Sequence, residues 1–179
     1  MTHSRESRPE ERERAVSETT TTYRAVRITY DSDLEFSETR RRFDERVPEF
    51  ESATSAELVL RKAPWSDVQA AVDARVGPTG LVALARLDQG ALLSLEGEPL
   101  DATLYLVGNQ ILAHEVIGRD RAAALYAPFR LAIYGDATGV HVAYDKPSSV
   151  FASLESPGID VIVAELDDKI RTVVEASCR

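Results

Sequence analysis

The chain has 179 residues, 44% of them apolar and 28% charged, a composition that supports one domain with its own core and excludes a chain too polar to collapse. Its formal charge of -9 sets 30 Asp and Glu against 18 Arg and only 3 Lys, which excludes nucleic acid as the default partner because DNA binding draws on clustered cations. A single cysteine, Cys178, excludes an internal disulfide and a thiolate metal cage, and no apolar run approaches the roughly 20 residues of a membrane-spanning helix.

Lysine is nearly absent (Lys62, Lys146 and Lys169), so the charge is carried by short carboxylates and arginine. That balance is similar to proteins of salt-loving archaea, where salt screens the self-repulsion of an acidic surface; the alternative is an acidic protein from a GC-rich genome, which also favours Arg over Lys. The N-terminus has no apolar signal core, and a cytoplasmic location is expected.

Residues 1–21 hold five Glu and four Arg and almost no large apolar side chain, so they read as a polar tail before a single domain over 22–179. From Tyr23 to Tyr30 polar and apolar residues alternate as in a strand, with Val26, Ile28 and Tyr30 toward the core. Ser37 is placed to cap a helix that ends near Val47, since Pro48 disfavours helical geometry at the residue before it. A helix over 64–76 follows from Pro64 at its start, the spacing of Trp65, Val68, Val72 and Val76, and Gly77-Pro78 at its end.

The period then changes. Leu81–Leu87, Ala91–Leu95 and Ala102–Val107 read as short strands. Gln110–Ala127 reads as one or two short helices ending before Pro128. Phe129–Tyr134 and Val140–Tyr144 form a hairpin around a five-residue turn, Gly135–Gly139. The last element is a helix over about 158–176 whose apolar stripe, including Ile159, Ile162, Leu166 and Ile170, lies across the sheet. The expected fold class is α+β, a mainly antiparallel sheet of about five strands with helices packed on one face.

Between Tyr105 and Ser149 the segment YLVGNQILAHEVIGRDRAAALYAPFRLAIYGDATGVHVAYDKPSS resembles the domain of unknown function 302 family. The shared pattern is a strand, the Gly108-Asn109 turn, a short helical segment, an Ala-Leu step, Pro128 and a closing hairpin with Tyr144-Asp145. The resemblance extends over about 23–176. It implies a β-α-β(4)-α fold, to which the helix over 64–76 is an insertion, and it brings no established activity. Family members commonly carry Pro after the Gly-Asn pair, where this chain has Gln110.

No complete catalytic constellation is present. The pair His114-Glu115 lacks the second His that a helical zinc site requires four residues on. Gly135 and Gly139 enclose a hairpin turn, and no helix N-terminus follows them to hold a phosphate. His141 is the outward residue of its strand, and Cys178 stands too close to the end of the chain to be held as a nucleophile. Neither a metal nor a cofactor is called for. What remains is a polar set, Asn109, His114, Tyr126, Arg130, Tyr144 and Lys146, that can converge on a small anionic or carbonyl-bearing ligand. The bland alternative makes Asn109 a turn residue, sets Tyr126 and Tyr144 at the core edge, and points Arg130 outward.

The favoured function is a noncatalytic small-molecule-binding or assembly module, a homodimer if strands such as Ala102–Val107 leave an edge to cover. The other is an enzyme acting on a small metabolite, with His114 as acid or base and Arg130 as anion holder. No nucleic acid and no membrane partner are expected.

Overall fold

The computed structural model describes residues 16–179; residues 1–15, most of the expected tail, lie outside the described residues. Residues 16–21 are exposed and carry no regular structure. Five strands form one sheet: β1 (Arg27–Ser32), β2 (Val82–Asp88), β3 (Ala102–Gly108), β4 (Phe129–Asp136) and β5 (Gly139–Asp145). Their order is β1-β5-β4-β3-β2, and every neighbouring pair is antiparallel. The helices are α1 (Phe36–Arg46), α2 (Ser52–Leu60), α3 (Trp65–Asp73), α4 (Gln89–Leu93), α5 (Gln110–Arg119), α6 (Pro147–Phe151) and α7 (Ile159–Ser177), with short 3-10 turns after α4, α5 and α6. The fold is α+β.

Strand alternation builds the main core. Tyr105 and Val107 of β3, Leu131 and Ile133 of β4, and Val142 and Tyr144 of β5 share one face. Phe43 from α1, Val47 just after it, and Ile170, Val173 and Val174 from α7 close over them. Tyr105, fully buried, donates its hydroxyl to Asp44 Oδ1 at 2.8 Å, which ties α1 to the middle of the sheet. Two smaller clusters flank this core. Val116, Ala123, Val150, Phe151, Ile159 and Val163 join α5, α6 and α7, and Phe50, Val72 and Val82 seat α3 against the start of β2.

Several local expectations are corrected. Ala91–Leu95 is no strand: α4 and a 3-10 turn occupy it, because the Asp88 carboxylate accepts from Ala91 N at 3.0 Å and Ser94 Oγ accepts from Leu100 N at 2.8 Å. Ala102–Val107 leaves no open edge, since β3 is hydrogen-bonded to β2 on one side and β4 on the other. The hairpin turn is shorter than five residues, because pairing continues to Asp136↔Gly139 and the Asp136 carboxylate accepts from Thr138 N at 2.7 Å. Val26 precedes β1 and is 43% exposed; its backbone is held by Ser149 Oγ and by Lys146 N. α1 starts two residues earlier than expected, with Glu35 and not Ser37 at its N-cap. Helix α2 has no apolar stripe that a sequence pattern would show, because only Leu58 of its nine residues is buried.

The basic run Arg40–Arg42 is a solvated helix face. Arg40 pairs with Asp88 at 3.2 Å, and Arg41 and Arg42 both reach Glu38 at 2.7 Å. Hydrogen bonds from Arg41 and then Arg42 hold the Glu38 carboxyl at about 2.

Candidate functional site

A cavity of about 170 Å³ lies between α5, α7 and the ends of β3 and β4. The sequence builds it at a junction. Gly108 ends β3, Asn109 turns the chain, and α5 crosses over the sheet end; Pro128, joined to Ala127 by a cis peptide, brings the chain back into β4. Val107, Phe129, Val116, Phe151, Val163 and Leu166 are among the apolar side chains of its wall. No Asp, Glu, Lys, Arg or His is among the described residues that line it.

The polar groups in this wall divide sharply. Asn109 is fully engaged: its Oδ1 accepts from Ile111 N at 2.8 Å and Leu112 N at 3.2 Å, capping α5, and its Nδ2 donates to Gly80 O at 2.8 Å. Tyr126 Oη shares a hydrogen bond of 2.8 Å with Ser153 Oγ. Gln110 is different. Its Nε2 and Oε1 are both buried, and neither has a hydrogen-bond partner among the described residues. Gln110 also lines a second, wider groove of about 500 Å³ formed by α2, α3 and α5, where the His114 ring stacks on Trp65 with centroids 4.4 Å apart.

The six residues singled out in the sequence therefore do not gather at one place. Asn109 and Tyr126 line the small cavity, and Tyr126 is shared with an outer-face cavity that contains Arg130. Tyr144 and Lys146 line a third cavity beside α7, where Lys146 Nζ stands 3.4 Å from Asp167 Oδ2. Burial, with the neighbouring Tyr30 hydroxyl, raises the Tyr144 phenol. His114 lines the α2/α3/α5 groove, and its side chain is exposed. Arg130 and Tyr144 stand on opposite faces of paired strands, because Tyr144 is in register with Leu131.

Two other groups behave differently from their sequence appearance. Cys178 is held firmly, with its carbonyl accepting from Asp33 N at 2.9 Å, but burial pushes its thiol up to about 11, far from the thiolate a nucleophile needs. Proximity to the chain end is thus not what disarms it. His141 faces outward as its parity requires, yet its side chain is only 11% exposed, held between Asp31 and Asp136. Gln110 escaped the sequence reading as a site residue. The signal that marks it is its place just after the α5 cap, in an otherwise apolar stretch and at a position where the related pattern carries Pro.

Comparison with known proteins bears on fold and family. The model of the domain of unknown function DUF302 matches residues 57–177. Among solved structures, the chain is similar to an uncharacterized conserved DUF302 protein from Bacillus stearothermophilus, with a TM-score of 0.60 and 16% identity, covering 86% of this chain and 98% of that one. At that identity the likeness speaks to the fold. No curated protein matches.

Proposed function

The chain belongs to the DUF302 family, whose function is unknown, and from this member's own geometry we propose a noncatalytic module that binds a small, largely apolar molecule. The observation that carries the reading is the cavity of about 170 Å³ beneath α5 and α7. Apolar cavities of about 150 Å³ accept benzene in other proteins, so this one has room for a single ring or a short branched chain. Its hydrocarbon lining with few polar groups is the usual profile of a small-molecule site.

The enzyme alternative requires His114 and Arg130 to meet one substrate. They line different cavities, which favours binding over turnover. Assembly is supported by a separate observation. Leu92, Leu93 and Leu95, on the excursion between β2 and β3, are 69%, 58% and 82% exposed, with Leu87 and Leu100 also exposed beside them, so a second copy of the chain is the natural cover. One cysteine, buried and free, suits a cytoplasmic location.

Native mass spectrometry of protein purified from its own host tests both readings. The expected result is one small molecule retained per chain, together with a rise in melting temperature on adding toluene that is lost in Ala113→Leu, which fills the cavity. Protein that carries nothing and whose melting ignores toluene ends the binding reading. In the same spectra a dimer that dissociates in Leu93→Glu supports assembly, and a monomer at all concentrations overturns it.

A further inference from the structure

Resting on that reading of the cavity, we propose that Gln110 selects the ligand's class: an uncharged molecule that presents a hydrogen-bond acceptor and donor side by side, such as a carboxamide, a lactam or an un-ionised carboxylic acid, on a compact hydrocarbon body. The argument starts from an imbalance. Buried polar groups in folded proteins almost always have partners, and one left without a partner is destabilising because it has given up its water for nothing. The Gln110 carboxamide has two such atoms, Nε2 and Oε1, with no partner among the described residues, while Asn109 and Tyr126 in the same wall are fully engaged. Among the residues that line this cavity the unmet hydrogen bonding is thus concentrated in one side chain, whose two amide atoms are covered in this structure and meet a ligand once the side chain turns toward it.

The chemistry of that side chain defines its complement. A glutamine amide offers a donor and an acceptor in one plane and cannot exchange their roles by ionising. A second carboxamide, a lactam or a neutral carboxylic acid meets both atoms at once. A ketone or ester satisfies Nε2 alone, and an ammonium satisfies Oε1 alone. A carboxylate places negative charge against Oε1 in a wall that holds no Lys, Arg or His, and burying an unpaired charge there is far more costly than burying a neutral group. Gln110 also lines the surface groove that holds Trp65 and His114, so it stands between that groove and the cavity.

Titration calorimetry with four probes of nearly equal shape separates these cases: benzamide, acetophenone (a methyl in place of the amide nitrogen), benzoate at neutral pH, and toluene. Benzamide is expected to bind the wild-type chain about tenfold or more tightly than acetophenone, and benzoate not measurably. In Gln110→Met, which keeps the length of the side chain and removes both polar atoms, the preference for benzamide disappears while toluene binds at least as well as to wild type. Acetophenone or toluene binding the wild-type chain as tightly as benzamide overturns the role of Gln110 and leaves the cavity reading standing. If no probe binds, toluene included, the cavity reading fails and this inference with it. The wild-type comparison stands even if Gln110→Met folds poorly, and circular dichroism of the variant shows whether its titration is to be counted.

Discussion

On the outer face of the sheet His141 is gripped from two sides. Its Nδ1 lies 2.8 Å from Asp31 Oδ1, and its Nε2 lies 3.2 Å from Asp136 Oδ1 and 3.0 Å from Thr138 Oγ1. The hydrogen bond to Asp31 is the main cause that raises the imidazole above its ordinary 6.5, with Asp136 adding to it against partial desolvation. Asp136 is lowered to about 2, first by the Thr138 hydroxyl, then by the Thr138 amide and His141. Because the folded His141 binds its proton more tightly than the unfolded one, its contribution is fully present below about pH 6.5 and is lost as pH rises through the higher folded value. Asp136 acts in the opposite sense, contributing above about pH 3.8 and losing that contribution as pH falls toward 2. The wild-type melting temperature is therefore expected to fall between pH 6 and pH 8 more steeply than that of His141→Gln; parallel curves would remove His141 from the account. Residue identity and parity were legible in the sequence here, and depth was not. Alternation put His141 outward, and the neighbours brought in by β1 and the hairpin turn, with the Tyr134 ring of β4 5.1 Å away between centroids, hide it. The same alternation already contained the separation of Arg130 from Tyr144, since Phe129, Leu131 and Ile133 on one strand and Val140, Val142 and Tyr144 on the other point inward. A set chosen by residue type alone overlooks which face each member occupies.

The excursion between β2 and β3 shows how a short apolar run takes its structure from its anchors. Ala91, Leu92, Leu93 and Leu95 carry no period that distinguishes a strand from a helix turn, so the decision falls to polar contacts that lie outside the run. Asp88 caps α4, Ser94 Oγ donates to Gly90 O at 2.8 Å and accepts from Leu100 N, and Gly90 packs so closely that an added Cβ would lie 2.1 Å from Leu100 O. That last contact involves backbone on both sides and cannot relax by turning a side chain. Gly90→Ala is expected to destabilise the protein by about 2 kcal/mol or more, as over-packing against fixed backbone does. Gly118→Ala is the matched control. Gly118 lies in α5 with open space around its added Cβ, so alanine there should stabilise by about 0.5 to 1 kcal/mol through helix propensity. Denaturant unfolding of both variants checks the pair, and equal effects would show that the excursion is looser than its contacts indicate. The long elements needed no such help. α7 carries Ile159, Ile170, Val173 and Val174 at helical spacing and forms as read, whereas α6, five residues long, is fixed by Ser148 N donating to Asp167 at 3.1 Å, a partner nineteen residues away.

At the scale of the whole molecule, the order of the five sheet strands and of α1, α3, α5 and α7 was legible, while the short helices α2, α4 and α6 and the closing strand pair were not. β1 lies against β5 across more than a hundred residues, Arg27 opposite Asp145, and no local pattern announces a partner at that distance. Charge is the global property that sequence reports directly, and its consequence can be argued to a sign. The surface holds ion pairs such as Arg61–Asp67 at 2.7 Å and Arg171–Asp168 at 2.6 Å, all substantially exposed, and added salt weakens them. Exposed pairs of this kind are each worth about 0 to 1 kcal/mol, so their loss is small. Against that stands a formal charge of -9, whose mutual repulsion acts on every carboxylate at once and is present only to a lesser degree in the expanded unfolded chain. Screening therefore relieves more than it removes, and the melting temperature should climb as potassium chloride is raised from about 0.05 M to 1 M, over which the Debye length falls to about 3 Å. Most of the gain is expected at the low end if screening is the cause. A steady climb that continues past 1 M would point instead to stronger burial of apolar surface, and a melting temperature indifferent to salt would mean that the near-absence of lysine has no bearing on how this protein is held together.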